Sequence, residues 1–220
     1  MTAVKICGIT TLDDALHAAN AGADMLGFNF FKRSPRYIET AAARAICDTL
    51  RAELGDACPV LVGLFVNATG SDVSAILSRA GLNCAQLSGD ESDDMIREMR
   101  GRAFKSIQPA NETMALEDVN YYRPHFPADE RVPSLILDAY HPTLRGGTGH
   151  EASTEIALAV KAAVPRMMLA GGLNPGNVAE RIARIAPWGV DVASGVEGDT
   201  PGVKDAAKVT AFIQAAKGQS

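Results

Sequence analysis

Cys7 and Asp138 are the residues of this chain best placed to move protons. Cys7 closes a β-rich run in Lys5-Ile6-Cys7-Gly8-Ile9-Thr10, and Asp138 closes another in Leu135-Ile136-Leu137-Asp138. A thiolate is a competent base and a carboxylic acid a competent acid, so facing one mouth they form a proton-transfer pair. Glycines make a second signature, in Ala170-Gly171-Gly172-Leu173-Asn174 and Ser194-Gly195-Val196-Glu197. Glycine amides uncrowded by side chains, beside a helix start, cradle phosphate. Gly171, Gly172, Ser194 and Gly195 are therefore the candidate phosphate contacts, against the alternative that they only serve tight turns. His17, His125, His141 and His150 show no HxH or HxxxH spacing, and no metal site is expected.

Two further charges bear on the thiol. Lys5 alternates with Cys7 on one strand face, where an ammonium would lower the thiol pKa, although it could equally contact a carboxylate such as Asp191. Asp191 lies inside a late strand, where structural ion pairing and orientation of a site are both open readings. Cys7 could also be a plain buried thiol, and Asp138 a helix cap or loop salt bridge. Cys47, in a helix pattern, and Cys84, in a strand pattern, read as small buried hydrophobes.

The elements that must position these groups alternate from end to end. Strand runs fall at Ala3 to Ile6, Met25 to Asn29, Val60 to Val66, Cys84 to Leu87, Ala103 to Ile107, Ser134 to Leu137, Arg166 to Leu169 and Val190 to Ala193. Helical spacing separates them, as in Ala15, Ala18 and Ala19 or Val73, Ile76, Leu77 and Ala80. Thr11 suits an N-cap, Gly22 and Gly81 suit C-terminal caps, and a last helix is expected from about Lys204 to Ala216. The fifth pair is the least regular, since Gln108 to Pro133 holds several prolines. Eight strand–helix pairs predict an α/β, single-domain (β/α)8 barrel over residues 1–220. In that fold the strand C-termini and the loops after strands seven and eight build the active site and its phosphate cradle.

Composition narrows the ligand. The chain has 220 residues, 47% apolar and 21% charged, with a formal charge of −5. No basic stripe exists to neutralise nucleic acid or an anionic membrane, so a small molecule is the expected partner. The longest apolar runs are far below membrane-spanning length. With an N-terminus interrupted by charges, those short runs read as a cytoplasmic protein, and the four scattered cysteines, without a CxxC pair, imply reduced thiols.

Taken as an ordered series, Lys5-Ile6-Cys7-Gly8-Ile9-Thr10, Ser34-Pro35-Arg36-Tyr37, Gly63-Leu64-Phe65-Val66-Asn67, Gln86-Leu87-Ser88-Gly89-Asp90-Glu91, Gly146-Gly147-Thr148-Gly149, Leu169-Ala170-Gly171-Gly172-Leu173 and Gly189-Val190-Asp191-Val192-Ala193-Ser194-Gly195-Val196-Glu197 resemble the phosphoribosylanthranilate isomerase family. The resemblance runs over essentially the whole chain. It implies a cofactor-free Amadori rearrangement of N-(5'-phosphoribosyl)anthranilate in tryptophan biosynthesis, with a phosphosugar substrate and a monomer or homodimer. By that resemblance Asp138 is the general acid and Cys7 the general base. Arg36, Asp191 and Gly147 fall to substrate binding, Arg36 on the anthranilate side. Ser88 stands where many members carry histidine, Gln108 where an arginine often follows strand five, and His150-Glu151-Ala152-Ser153 replaces an aromatic-containing stretch. Other phosphosugar isomerases of this barrel type, and a non-catalytic phospholigand-binding barrel, are the competing functions.

Overall fold

The computed structural model describes Met1–Ala139 and Ser153–Gly218. Eight parallel strands close into a barrel in sequence order, with β1 pairing both β2 and β8. They are β1 Ala3–Cys7, β2 Met25–Asn29, β3 Val60–Phe65, β4 Cys84–Leu87, β5 Ala103–Ile107, β6 Leu135–Leu137, β7 Met167–Leu169 and β8 Gly189–Val192. The helices are α1 Leu12–Asn20, α2 Thr40–Leu54, α3 Gly70–Ala80, α4 Asp93–Glu98, α5 Glu112–Tyr122, α6 Thr154–Ala163, α7 Val178–Ile185 and α8 Ala206–Lys217.

The helix ends follow local chemistry. The Thr11 hydroxyl accepts from the Asp14 amide at the start of α1, and Gly81 ends α3 in the left-handed region. Gly22 also has positive φ, but Ala21 is the residue that closes α1. The last helix starts two residues later than expected: the Asp205 carboxylate caps it by accepting from Lys208 N, and Lys204 is committed to Glu197 and the Ala193 carbonyl. The proline-rich stretch after β5 still forms α5, followed by a short 3-10 turn at Arg123–His125.

Side chains alternate across each strand, so one set faces the helices and the other fills the barrel. Val4, Leu26, Leu61, Ala85, Leu135 and Val190 belong to the large outer core, packed against the helices. Met25, Val62, Cys84, Phe104, Ile136 and Met168 form a separate interior cluster. Two residues further toward the strand C-termini, the interior turns polar: Cys84 is succeeded by Gln86, Phe104 by Ser106 and then Gln108, and Ile136 by Asp138. The barrel therefore has an apolar floor and a polar upper layer, where chemistry is carried out in this architecture. Among the described residues no helix is long and apolar enough to cross a membrane.

Candidate active site

A cavity of about 510 Å³ opens at the C-terminal end of the strands. That size suits a metabolite of moderate mass. Cys7 enters it from the end of β1 and Asp138 from just past β6, so the two proton-transfer candidates share one chamber.

Cys7 is 4% exposed and sits above Lys5, which is fully buried. Gly27 on β2 makes the space for both: a Cβ there would lie 2.8 Å from Cys7 Sγ and 3.2 Å from Lys5 Nζ. Lys5 donates to Asp191 Oδ1 at 2.9 Å across the β1–β8 seam, where the two residues are in register. Both contacts foreseen for Lys5 are thus made at once, because the ammonium lies between thiol and carboxylate. Asp191 raises the Lys5 pKa and holds it protonated in spite of burial. Lys5 does act to lower the Cys7 pKa, as expected, but it does not set the net direction. Burial pushes the thiol up, Lys5 offsets only part of that, and Asp191 adds to the rise. Lys5 makes the thiolate attainable rather than resident.

Asp138 has the character of an acid. Burial raises its carboxyl to about 6; donors from the Gln108 amide and the Ala139 N–H work against this, Asp191 adds to it, and Lys5 opposes it. Gln108 Nε2 donates to Oδ2 at 2.8 Å and Ala139 N to Oδ1 at 2.8 Å. Among the described residues, each carboxylate oxygen thus has a protein donor.

Arg36 lines the same cavity from the loop after β2, and two of its five N–H donors are committed to Glu197. Nε donates to Glu197 Oε1 at 2.6 Å and NH2 to Oε2 at 2.8 Å. Lys204 Nζ also donates to Glu197 Oε1, at 3.1 Å. Glu197 stays below the ordinary glutamate range because Arg36 and Lys204 outweigh its burial. The Arg36 stem lies over Gly8, where a Cβ would come 2.6 Å from Arg36 Cδ. Glu197 and Lys204 carried no individual role in the sequence reading. Two buried opposite charges bracketing a glycine turn were the available signal.

After β7, Gly171 and Gly172 both have positive φ, and a Cβ on Gly171 would sit 2.5 Å from that of Ala139. Asn177 shapes this loop by donating to the Gly172 carbonyl at 3.0 Å and accepting from Asn174 N at 2.8 Å. After β8, a Cβ on Gly195 would lie 1.9 Å from the Leu173 carbonyl oxygen, so the two loops touch there and only glycine fits. Gly171, Gly172, Ser194 and Gly195 all border the cavity, on the side that Asp191 and Ala170 also line.

The opposite wall belongs to β3 and β4. Ser88 Oγ accepts from Gln86 Nε2 at 3.1 Å. The loop that carries Ser88 is fixed from beneath by Glu91, which accepts from Asn67 N and Gly89 N, each at 2.8 Å, and from buried Lys105 at 2.9 Å. Gly147, with its Gly146–Gly149 run, and His141 and His150 lie outside the described residues. Of the other predicted site residues, Cys7, Asp138, Arg36, Asp191, Gly171, Gly172, Ser194 and Gly195 all meet at the one cavity.

Comparison with known proteins gives the geometry its context. A profile of the family described as N-(5'phosphoribosyl)anthranilate (PRA) isomerase matches residues 4–215. Curated proteins named N-(5'-phosphoribosyl)anthranilate isomerase are similar over nearly full length. That of Citrifermentans bemidjiense is 45% identical over 219 residues, covering 99% of this chain and 98% of its own, and that of Geotalea uraniireducens is 44% identical, covering 99% and 100%. The crystal structure of phosphoribosyl anthranilate isomerase from Thermotoga maritima superposes with a TM-score of 0.84 at 35% identity, covering 99% of this chain and 100% of that one. Another isomerase structure, in complex with reduced 1-(o-carboxyphenylamino)-1-deoxyribulose 5-phosphate, gives 0.81 at 34%, with 99% and 100% covered.

Proposed function

The chain belongs to the N-(5'-phosphoribosyl)anthranilate isomerase family, and from that premise we propose how its own residues carry the reaction. The activity is the isomerisation of phosphoribosylanthranilate to 1-(2-carboxyphenylamino)-1-deoxyribulose 5-phosphate in tryptophan biosynthesis. Asp138, in its acid form, gives its proton to the furanose ring oxygen as the bond from that oxygen to C1 breaks. The lone pair of the anthranilate nitrogen becomes the C1–N iminium bond. The Cys7 thiolate then takes the C2 proton; the electrons of that C–H bond form the C1–C2 double bond while the iminium π pair returns to nitrogen, giving an enolamine. Its C2 hydroxyl loses a proton and C1 gains one, leaving the ketone.

The observation that carries this reading is the pairing of environments. A carboxyl raised to about 6 is still partly protonated near neutral pH, and the thiol beside it has a buried ammonium ready to receive its negative charge. Lys5 and Asp191 serve Cys7: the ammonium stabilises the developing thiolate, and the carboxylate fixes the ammonium. The glycine turns after β7 and β8 hold the phosphate, with the amides of Gly172, Ser194 and Gly195 as its donors. The ring carboxylate lies toward Arg36, whose guanidinium is fixed in orientation by Glu197 and keeps hydrogens to offer. A cytoplasmic location belongs to the same reading and is supported by four cysteines that are all free thiols.

The test follows the loss of anthranilate-type fluorescence as purified protein consumes phosphoribosylanthranilate. Turnover that disappears in Cys7→Ala and Asp138→Asn, with binding of a reduced product analogue retained, supports the assignment. No turnover by the unaltered protein refutes it.

A further inference from the structure

Gln108 stands at the cavity wall just past β5, and its side-chain amide donates to Asp138 Oδ2 at 2.8 Å. We propose that Gln108 is a positioning residue for the general acid, serving both of its protonation states. The proposal rests on the reading of Asp138 as the acid. A primary amide carries a donor and an acceptor at equivalent ends. In the observed orientation Nε2 donates to the carboxylate. Half a turn about the last side-chain torsion brings Oε1 to the same place, where it accepts from the carboxylic acid. The proton that Asp138 must deliver is then held on Oδ2, while Oδ1 remains anchored by Ala139 N.

A cation at this position would do only half of that work. Lysine or arginine bonds to carboxylate but has no acceptor for the acid, and it holds the group ionised. Among the described residues, the charged groups around Asp138 leave this choice to Gln108. Asp191 on β8 disfavours ionisation and Lys5 on β1 favours it, and the two are paired with each other. Arg36 is bound to Glu197. Cys7 is neutral when its proton is on, and Ala170 past β7 carries no charge. The neutral amide is therefore the local donor whose replacement changes the acid most directly.

The discriminating measurement is the pH dependence of kcat/KM. The productive form has Asp138 protonated and Cys7 ionised, although Asp138 is the stronger acid of the two. Between the two pKa values the productive fraction is constant. Below the lower one it falls, so the acid limb tracks the pair's lower pKa, which Asp138 dominates. Gln108→Met removes the donor and should move this limb up by about one pH unit, with kcat lowered because the misplaced acid outweighs its larger protonated fraction, and KM changed less than about threefold. Gln108→Arg should move it down by about one unit or more, again with reduced kcat. Gln108→Glu, adding a like charge, should move it up as Met does. Analogue binding by each variant shows that the cavity is formed. Opposite displacements by Met and Arg support the proposal. An acid limb unmoved in folded Arg and Glu variants overturns it, as does a loss expressed in KM alone. Should Asp138→Asn retain near-normal turnover, the reading of Asp138 as the acid fails, whatever the Gln108 variants show.

Discussion

Arg36 and Glu197, 161 residues apart in sequence, are joined by two hydrogen bonds of 2.6 and 2.8 Å that fasten the loop after β2 to the loop after β8. The Arg36 stem lies against Gly8, immediately after Cys7 at the end of β1. Lys204 adds a second cation to the same carboxylate.

Removing the centre of that triad should be costly. Glu197→Ala leaves two cations without their partner, and Lys204 is almost wholly enclosed. A loss of about 3–5 kcal/mol in unfolding free energy is expected, read from denaturant midpoints. Exchange by Glu197→Gln should retain a fraction of it.

Arg36→Ala should raise KM by about ten- to a hundredfold with a smaller loss in kcat, because it removes the proposed contact to the non-reacting end of the substrate. Arg36→Lys should not rescue it, since an ammonium cannot repeat the two-pronged contact with Glu197 while offering a further donor. Steady-state kinetics distinguish these outcomes, and an unchanged KM in Arg36→Ala would remove the residue from the substrate site.

The two proton-transfer groups should behave differently from Arg36. Cys7→Ala and Asp138→Asn are each expected to lose about 10²- to 10⁴-fold in kcat while retaining analogue affinity within a few fold. Single-turnover fluorescence is the measurement. A kcat within threefold of the unaltered protein for either variant would dismiss its role.

Asp138 also makes a prediction about stability. Its carboxyl titrates near 6 when folded, against about 3.9 in an unfolded chain. The folded state binds the extra proton between those values, so stability falls as pH rises through that window. Above about pH 6 the ionised, buried carboxylate costs about 2–3 kcal/mol. Asp138→Asn should therefore be the more stable protein at pH 8, with its advantage fading toward pH 4. Thermal unfolding at the two pH values checks this.

For the phosphate turns, Gly195→Ala places a methyl group against the Leu173 carbonyl. We expect KM to rise at least about tenfold and inhibition by inorganic phosphate to weaken in parallel, with a smaller change in kcat. Persistent phosphate inhibition in a folded variant would place the anion elsewhere.

Much of this arrangement was legible in the sequence because strands alternate with period two. Lys5 and Cys7 had to share a face, and residues at strand ends had to collect at one rim. The Lys5–Asp191 contact followed from closure, which puts the first and last strands side by side. The net pKa of Cys7 was not legible: Lys5 is visible in the string, but the enclosure that outweighs it arises only when eight strands and their loops meet. Gln108 and Asp138 meet because β5 and β6 are neighbours, yet the sequence flagged Gln108 only as a departure, with no partner. The pairing of Arg36 with Glu197 was not legible, because that partner lies 161 residues away in the chain.

The contact between Lys5 and Asp191 also sets a time at which function can begin. Lys5 and Cys7 are synthesised well before Asp191, which follows Lys5 by 186 residues. Until β8 docks beside β1, Lys5 has no carboxylate to fix its ammonium, and the thiol stands at an open edge. A growing chain that had already formed its early strands would still lack a supported base. Catalysis therefore reports ring closure itself, and turnover followed during refolding is a clock for the docking of the last strand.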